Sequence, residues 1–170
     1  MDRLTGLSQD RLYERVRGLV RIGVLKPIPG RGPGRGTPLN ASNLSALIIS
    51  MLAADHWSEI DDRVSRLCQA APTAGGTCPF TGARNFRDAL AEIIGSTNRA
   101  KLTLGLSLNR ERLEPEILFR AKQKVGRSRF SPKPRLDPDP FISIDVTISA
   151  DGLLAVARLL KHQLSETNNE

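Results

Sequence analysis

Aromatic side chains are scarce, at 4% of the chain, so the interior has to be packed with Leu, Ile, Val and Ala. Cysteine is nearly missing as well. Cys68 and Cys78 are too few for a secreted disulfide scaffold and point to a reduced, cytoplasmic protein. Together with His56 and His162 they could supply zinc ligands, but no C-x-x-C or H-x-x-x-H spacing pairs any of them, and no metal is expected. No run approaches the roughly 18 apolar residues of a membrane span. Met1 to Leu7 also lacks the apolar centre of a secretion signal. A membrane partner is therefore not expected.

What the chain has is positive charge. Its 170 residues, enough for one core or two modest ones, carry 25 Lys and Arg against 18 Asp and Glu, a net charge of +7. Such a surplus favours polyanionic partners. The charge is also segregated: residues 1–36 hold eight cations and three acids, and 101–135 hold ten and three. Residues 37–100 are near neutral, with five cations and six acids, and 136–170 are acidic, with two and six. Folding is expected to place the two basic blocks on one face, the alternative being separate solvated surfaces.

Periodicity divides the chain into helices followed by strands. "LSQDRLYERVRGLVRIG" has Ser8 as N-cap, an apolar stripe of Leu12, Val16, Leu19 and Val20, and Gly23 as the stop. The other side of that helix is expected to carry Arg11, Arg15, Arg17 and Arg21. Asn40 caps a strongly apolar helix through Leu52, and Ser58 caps a third with Ile60, Val64, Leu67 and Cys68 inward. The turn-rich "APTAGGTCPFTG" marks a soft boundary between a helical region, 1–70, and a smaller α+β region, 80–165. In the second region Asn85 to Gly95 is a short helix. Leu102, Leu104, Leu106 and Leu108 alternate as in a half-buried strand, and "EILFRAK" pairs back on it. "QKVGRSRFSPKPRLDPDP", with four prolines and no periodicity, is expected to be a loop or extended arm. "FISIDVTIS" is a strand, and "GLLAVARLLKHQL", capped by Ser149 or Asp151, is a closing helix. The fold class is α+β: a helical, winged-helix-like front followed by a small antiparallel sheet and a C-terminal helix.

The stretch Thr5 to Pro27 resembles the opening of the MerR-type winged helix-turn-helix family. The matching residues are Thr5, Gly6, Leu7 and Ser8 at the turn, Tyr13, Glu14 and Arg15 on the helix, and Gly23, Val24, Leu25 and Pro27 at the exit. The resemblance implies that Arg11, Tyr13 and Arg15 face DNA, that the Gly-rich "GRGPGRG" sits at the wing and touches backbone, and that 39–52 matches the helix after it.

That glycine-rich loop fits no nucleotide-binding signature. It follows a helix, lacks the P-loop lysine, and spaces its glycines by two. An AT-hook needs Arg-Gly-Arg-Pro, whereas Arg31 and Arg35 flank Gly-Pro-Gly. What remains is a basic arm able to follow a groove or phosphates, or a plain linker. Acids at the start of the third helix serve its dipole, and neither histidine neighbours a nucleophile, so no catalytic residue, cofactor or enzyme activity is expected.

These observations predict a sequence-specific transcription regulator of the kind found in phage-derived gene sets, binding double-stranded DNA, with a homodimer and the transcription machinery as possible partners. The expected DNA contacts are Arg11, Tyr13, Arg15, Arg17, Arg21, Lys26, Arg31 and Arg35 from the front, and Arg120, Lys122, Lys124, Arg127 and Arg129 from the second basic block. The alternatives are a scaffold module with a basic surface and an RNA-binding accessory protein, the latter short of aromatic stacking surface.

Overall fold

The computed structural model describes residues 8–27, 39–54, 60–133 and 143–167. Among these the chain forms helices α1 (Gln9–Arg21), α2 (Ala41–Ala53) and α3 (Ile60–Gln69), then strand β1 (Ala71–Pro72) and helices α4 (Phe86–Ile94) and α5 (Thr97–Leu102). Strands β2 (Thr103–Asn109), β3 (Glu114–Ala121), β4 (Lys124–Ser131) and β5 (Asp145–Ser149) follow, and α6 (Ala150–Thr167) closes the chain. This is the α+β class that the periodicity predicts.

Local chemistry accounts for the helix ends. The Asn40 and Asn85 side chains each accept a backbone hydrogen bond, from Asn43 and Asp88, at 2.8 Å, which satisfies an otherwise orphaned N–H of α2 and of α4. Gly23 takes φ of 73° just past α1 and donates to the Val20 carbonyl, the left-handed stop that glycine adopts without Cβ strain. At the start of α6, the Ser149 hydroxyl accepts from Gly152 N–H. The expected cap Ser58, together with His56, Arg31, Arg35 and the Thr5–Leu7 part of the MerR-like stretch, lies outside the described residues.

All strand pairings are antiparallel, in the order β1-β4-β3-β2-β5. The inner face, turned towards the helices, carries Leu106, Leu108, Ile117 and Phe130, all buried, flanked by Val146 and Ile148. The regular leucine alternation is broken in β2. Thr103 pairs with Phe119 but Gly105 pairs with Leu118, so Leu104 is an extra residue, a bulge. Thr103 is thereby turned inward and Leu104 exposed, while Leu102, expected in the strand, is the exposed last residue of α5, against the expectation that all four leucines share the buried face of one strand.

The stretch expected to be a loop contains β4. It pairs with β3 across a two-residue turn, Lys122–Gln123, with Lys122 at φ of 53°. Its inward positions are Gly126, Ser128 and Phe130, so two of three carry no bulky apolar group and the alternation is hidden. The neighbouring strand fills the gap: a Cβ at Gly126 would lie 2.4 Å from Cζ of Phe119. The Phe119 ring cannot retreat, because it stacks on Phe80 at 4.4 Å between centroids. Gly126→Val is accordingly expected to lower stability by about 1–3 kcal/mol through overpacking, read as a lower melting temperature, whereas Val125→Thr one residue away, on a side chain 63% exposed, should leave it unchanged.

A single buried cluster runs from Leu19 through Ile49, Leu67, Phe86 and Leu106 to Leu160. The composition change at 71–82 is therefore a connector inside one packed unit; β1 lies within it and pairs with β4. Two arginines tie the layers together. The carboxyl end of α2 has no basic residue in its last turn, yet its orphaned carbonyls are met from outside. Arg15, reaching from α1, donates from Nη1 to Ser50 O at 2.5 Å and from Nη2 to Ala54 O at 2.9 Å. Arg110, from the β2–β3 turn, donates from Nε to Leu52 O at 2.8 Å. Both side chains are buried. Their charge also faces the negative end of the α2 dipole.

Candidate nucleic-acid interface

The residues expected to contact DNA separate into three groups. Arg15 does not face outward as the family resemblance implies: it is 6% exposed and is spent on the α2 carbonyls. Its position explains this, since it stands three residues after Leu12 and four before Leu19, on the buried stripe. A guanidinium there has to reach through the core to acceptors.

The remaining α1 cations do face outward. Arg11, Arg17, Arg21 and Lys26 are exposed, as is Tyr13 at 63%. Arg17 lies 5.9 Å over the Tyr13 ring and pairs with Glu14 at 3.1 Å, which orders a small amphipathic cluster on the open side of the helix. The helix presents this cluster because its other side packs on α2 and α3.

The third group is concentrated on the β3–β4 hairpin. Arg120, Lys122, Lys124, Arg127 and Arg129 are all exposed, within a ribbon two strands wide. Arg127 and Arg129 project on the open face of the sheet, where Glu116 stands opposite with Oε1 3.6 Å from each Nε. One carboxylate thus serves two guanidiniums, and the pair retains net positive charge. Arg120, Lys122 and Lys124 have no ion pair among the described residues. Val125, exposed near the tip, adds a small apolar contact. The two basic blocks therefore sit on different layers, one on a helix and one on the sheet.

Beside the hairpin the open sheet face forms a cleft of about 760 Å³ between the 71–75 connector and the β2–β3 turn. Its charges are balanced: Arg112, Arg129 and Lys133 face Glu114, Glu116 and Asp145. Arg129 and Glu116 thus belong to a charge-balanced part of the hairpin, and the unbalanced cations are those at and near its tip, Arg120, Lys122, Lys124 and Arg127.

The cysteines offer little chemistry. Burial pushes the Cys68 thiol up to about 11, with nearby Arg87 opposing the shift, so it stays protonated. For Cys78, burial raises the thiol pKa but the Ser128 and Thr81 hydroxyls and the Thr81 and Phe80 backbone N–H groups outweigh it and hold it below the ordinary range. Cys78 is itself buried, and its thiol donates to the Ser128 hydroxyl; among the described residues no histidine or carboxylate is hydrogen-bonded to it. Among the described residues no group of three His, Cys, Asp or Glu could hold a metal ion, and no helix is long and apolar enough to cross a membrane.

Comparison with protein-family models, with characterised proteins and with solved structures finds no match to this chain. The MerR-type likeness accordingly rests on the quoted residues alone.

The hairpin cations were legible in the sequence as residues but not as a ribbon. The signal for it was the Arg127-x-Arg129-x-Ser131 alternation, a polar outer face with Ser128 and Phe130 pointing inward between its members. Arg110 as a capping residue had no sequence signal, because its acceptor lies 58 positions away.

Proposed function

We propose that the protein binds double-stranded DNA and acts in the cytoplasm as a transcription regulator. The observation that carries this reading is the concentration of five exposed cations on one two-stranded ribbon, Arg120, Lys122, Lys124, Arg127 and Arg129. Strands in such a ribbon are about 4.8 Å apart, and a major groove about 12 Å wide admits a ribbon of that kind. Long cations along both strands can then reach the phosphates on either wall, which supplies affinity and register.

Arg11, Tyr13, Arg17 and Arg21 on α1, with Lys26, are the second contact set. Arginine there suits bidentate bonding to guanine edges or phosphate. Arg31 and Arg35 belong to the same proposal by sequence alone. The transcription machinery and a second copy of the chain are the expected protein partners of a regulator.

Gel retardation with genomic duplex fragments, set against single-stranded RNA of equal length, tests the proposal. Duplex should be retarded at low salt and released as salt rises. Retardation of RNA in preference to duplex would favour the RNA-binding alternative, and no retardation of either would leave the basic ribbon as a solvated surface.

A further inference from the structure

The two edges of the sheet are built differently. On one side β1 is two residues long, contains Pro72 and covers only the Phe130–Ser131 end of β4, whose remaining outer side carries the exposed cations Lys124, Arg127 and Arg129; a short strand, a proline and edge charges all discourage a further strand from pairing. The β5 edge has five residues, DVTIS, with no proline, lysine or bulge. Among the described residues nothing pairs with its outer side. An unprotected edge of this kind is a template for another strand.

The surface beside this edge is apolar. A groove of about 500 Å³ runs between α2, β5 and α6, walled by Leu39, Ile48, Met51, Val146, Val156 and Leu159. Four of the eight large apolar side chains exposed among the described residues stand here or on adjoining turns: Leu39, Ile144, Leu159 and Leu164, each between 43% and 46% exposed. Burying them requires a partner that approaches β5 and α6 together.

We propose that this partner is a second copy of the chain, joined by antiparallel β5–β5 pairing about a two-fold axis, with α6 packing against α6 of the other copy over the groove. The side-chain period of two limits the register, because a one-residue slip would place Val146 and Ile148 on the polar side. The register centred on Thr147 is the one in which all five residues pair. It sets Val146 against Ile148 of the other copy on the apolar side. On the open side it sets Thr147 against Thr147, and Asp145 against Ser149. No like charges meet across the ladder. Asp145 comes to the first turn of the other copy's α6, the positive end of that helix dipole, with Asp151 beyond the ladder and exposed. A five-residue ladder alone falls short of the roughly 800 Å² per partner of stable interfaces, so the groove and α6 complete the contact. The inference goes beyond the DNA reading and does not depend on it, since the oligomeric state is measured without nucleic acid.

Sedimentation velocity on the full chain should give twice the 18.6 kDa chain mass at high concentration and dissociation on dilution. Thr147→Lys places two ammonium groups on the axis and should weaken the dimer about tenfold or more, with an unchanged circular dichroism spectrum. Thr147→Cys should form a disulfide-linked dimer on mild oxidation much faster than Ser149→Cys, whose counterpart is Asp145; Cys68 and Cys78 are buried and do not compete. A chain that stays monomeric up to about 100 µM, a dimer indifferent to Thr147→Lys, or equal cross-linking at the two positions would overturn the proposal.

Discussion

Arg15→Ala is expected to destabilise the folded chain by about 3 kcal/mol and to lower its melting temperature by roughly 6–12 °C. The substitution removes the donors of Ser50 O and Ala54 O, two carbonyls at the end of α2. It also takes the positive charge from the negative end of that helix and leaves a void between α1 and α2. Water cannot readily substitute, because the site is buried. Arg110→Ala should act in the same direction through Leu52 O. By contrast, Arg17→Ala, which removes one exposed ion pair, should shift the melting temperature hardly at all. Thermal denaturation followed by circular dichroism separates these outcomes. If Arg15→Ala melts with the wild type but loses DNA affinity, Arg15 belongs to the contact surface after all and the clamp contributes nothing. The expected result is the reverse: at a temperature where the variant is folded, its DNA affinity matches that of the wild type.

The second large effect is expected at the hairpin. Replacing Arg120, Lys122 and Lys124 together by alanine removes three exposed cations that have no ion pair among the described residues. None contributes to the buried cluster, so the fold should be unaffected. Loss of about three phosphate contacts should weaken duplex binding on the order of 100-fold at about 0.1 M salt. Arg127 and Arg129 are a poorer choice for this test, because Glu116 would then lose the cations beside it. Changing Arg11 and Arg17 on α1 should have a different signature, an altered preference among duplex sequences, if those side chains reach base edges.

Apart from α5, whose Leu102 reads as the start of a strand, the helices were legible because their signals are local. Asn40 and Asn85 announce helix starts three residues before the N–H groups they receive, and Gly23 announces a stop within one turn. The β2–β3 hairpin and β5 were legible from alternation. β4 was not, because the volume that would identify its buried side is supplied by Phe119 of the neighbouring strand, and single-strand periodicity cannot register a side chain donated across a ladder. The bulge at Leu104 was hidden for the same reason: it is a property of the β2–β3 register and not of β2 alone.

The site divides in the same way. Which residues are cationic was plain, but whether a cation faces solvent depends on what lies opposite it. Arg15 carried a partial signal, its place between Leu12 and Leu19 on the apolar stripe, which outweighs the likeness to a family in which the matching residue faces DNA. Arg110 carried none. The soft boundary at 71–82 followed from composition, yet the connector's own Ala71–Pro72 pairs with Ser131 and Phe130, so a change in local character coincides with a continuous core.

The most direct measurement is the salt dependence of duplex binding, by fluorescence anisotropy, for the wild type and the Arg120, Lys122, Lys124 triple-alanine variant side by side. Each phosphate neutralised contributes about −0.9 to the slope of log K against log salt. The wild type should show a steep negative slope, and the variant a slope shallower by about 2.7. Two identical slopes, or wild-type binding that ignores salt, would contradict the account.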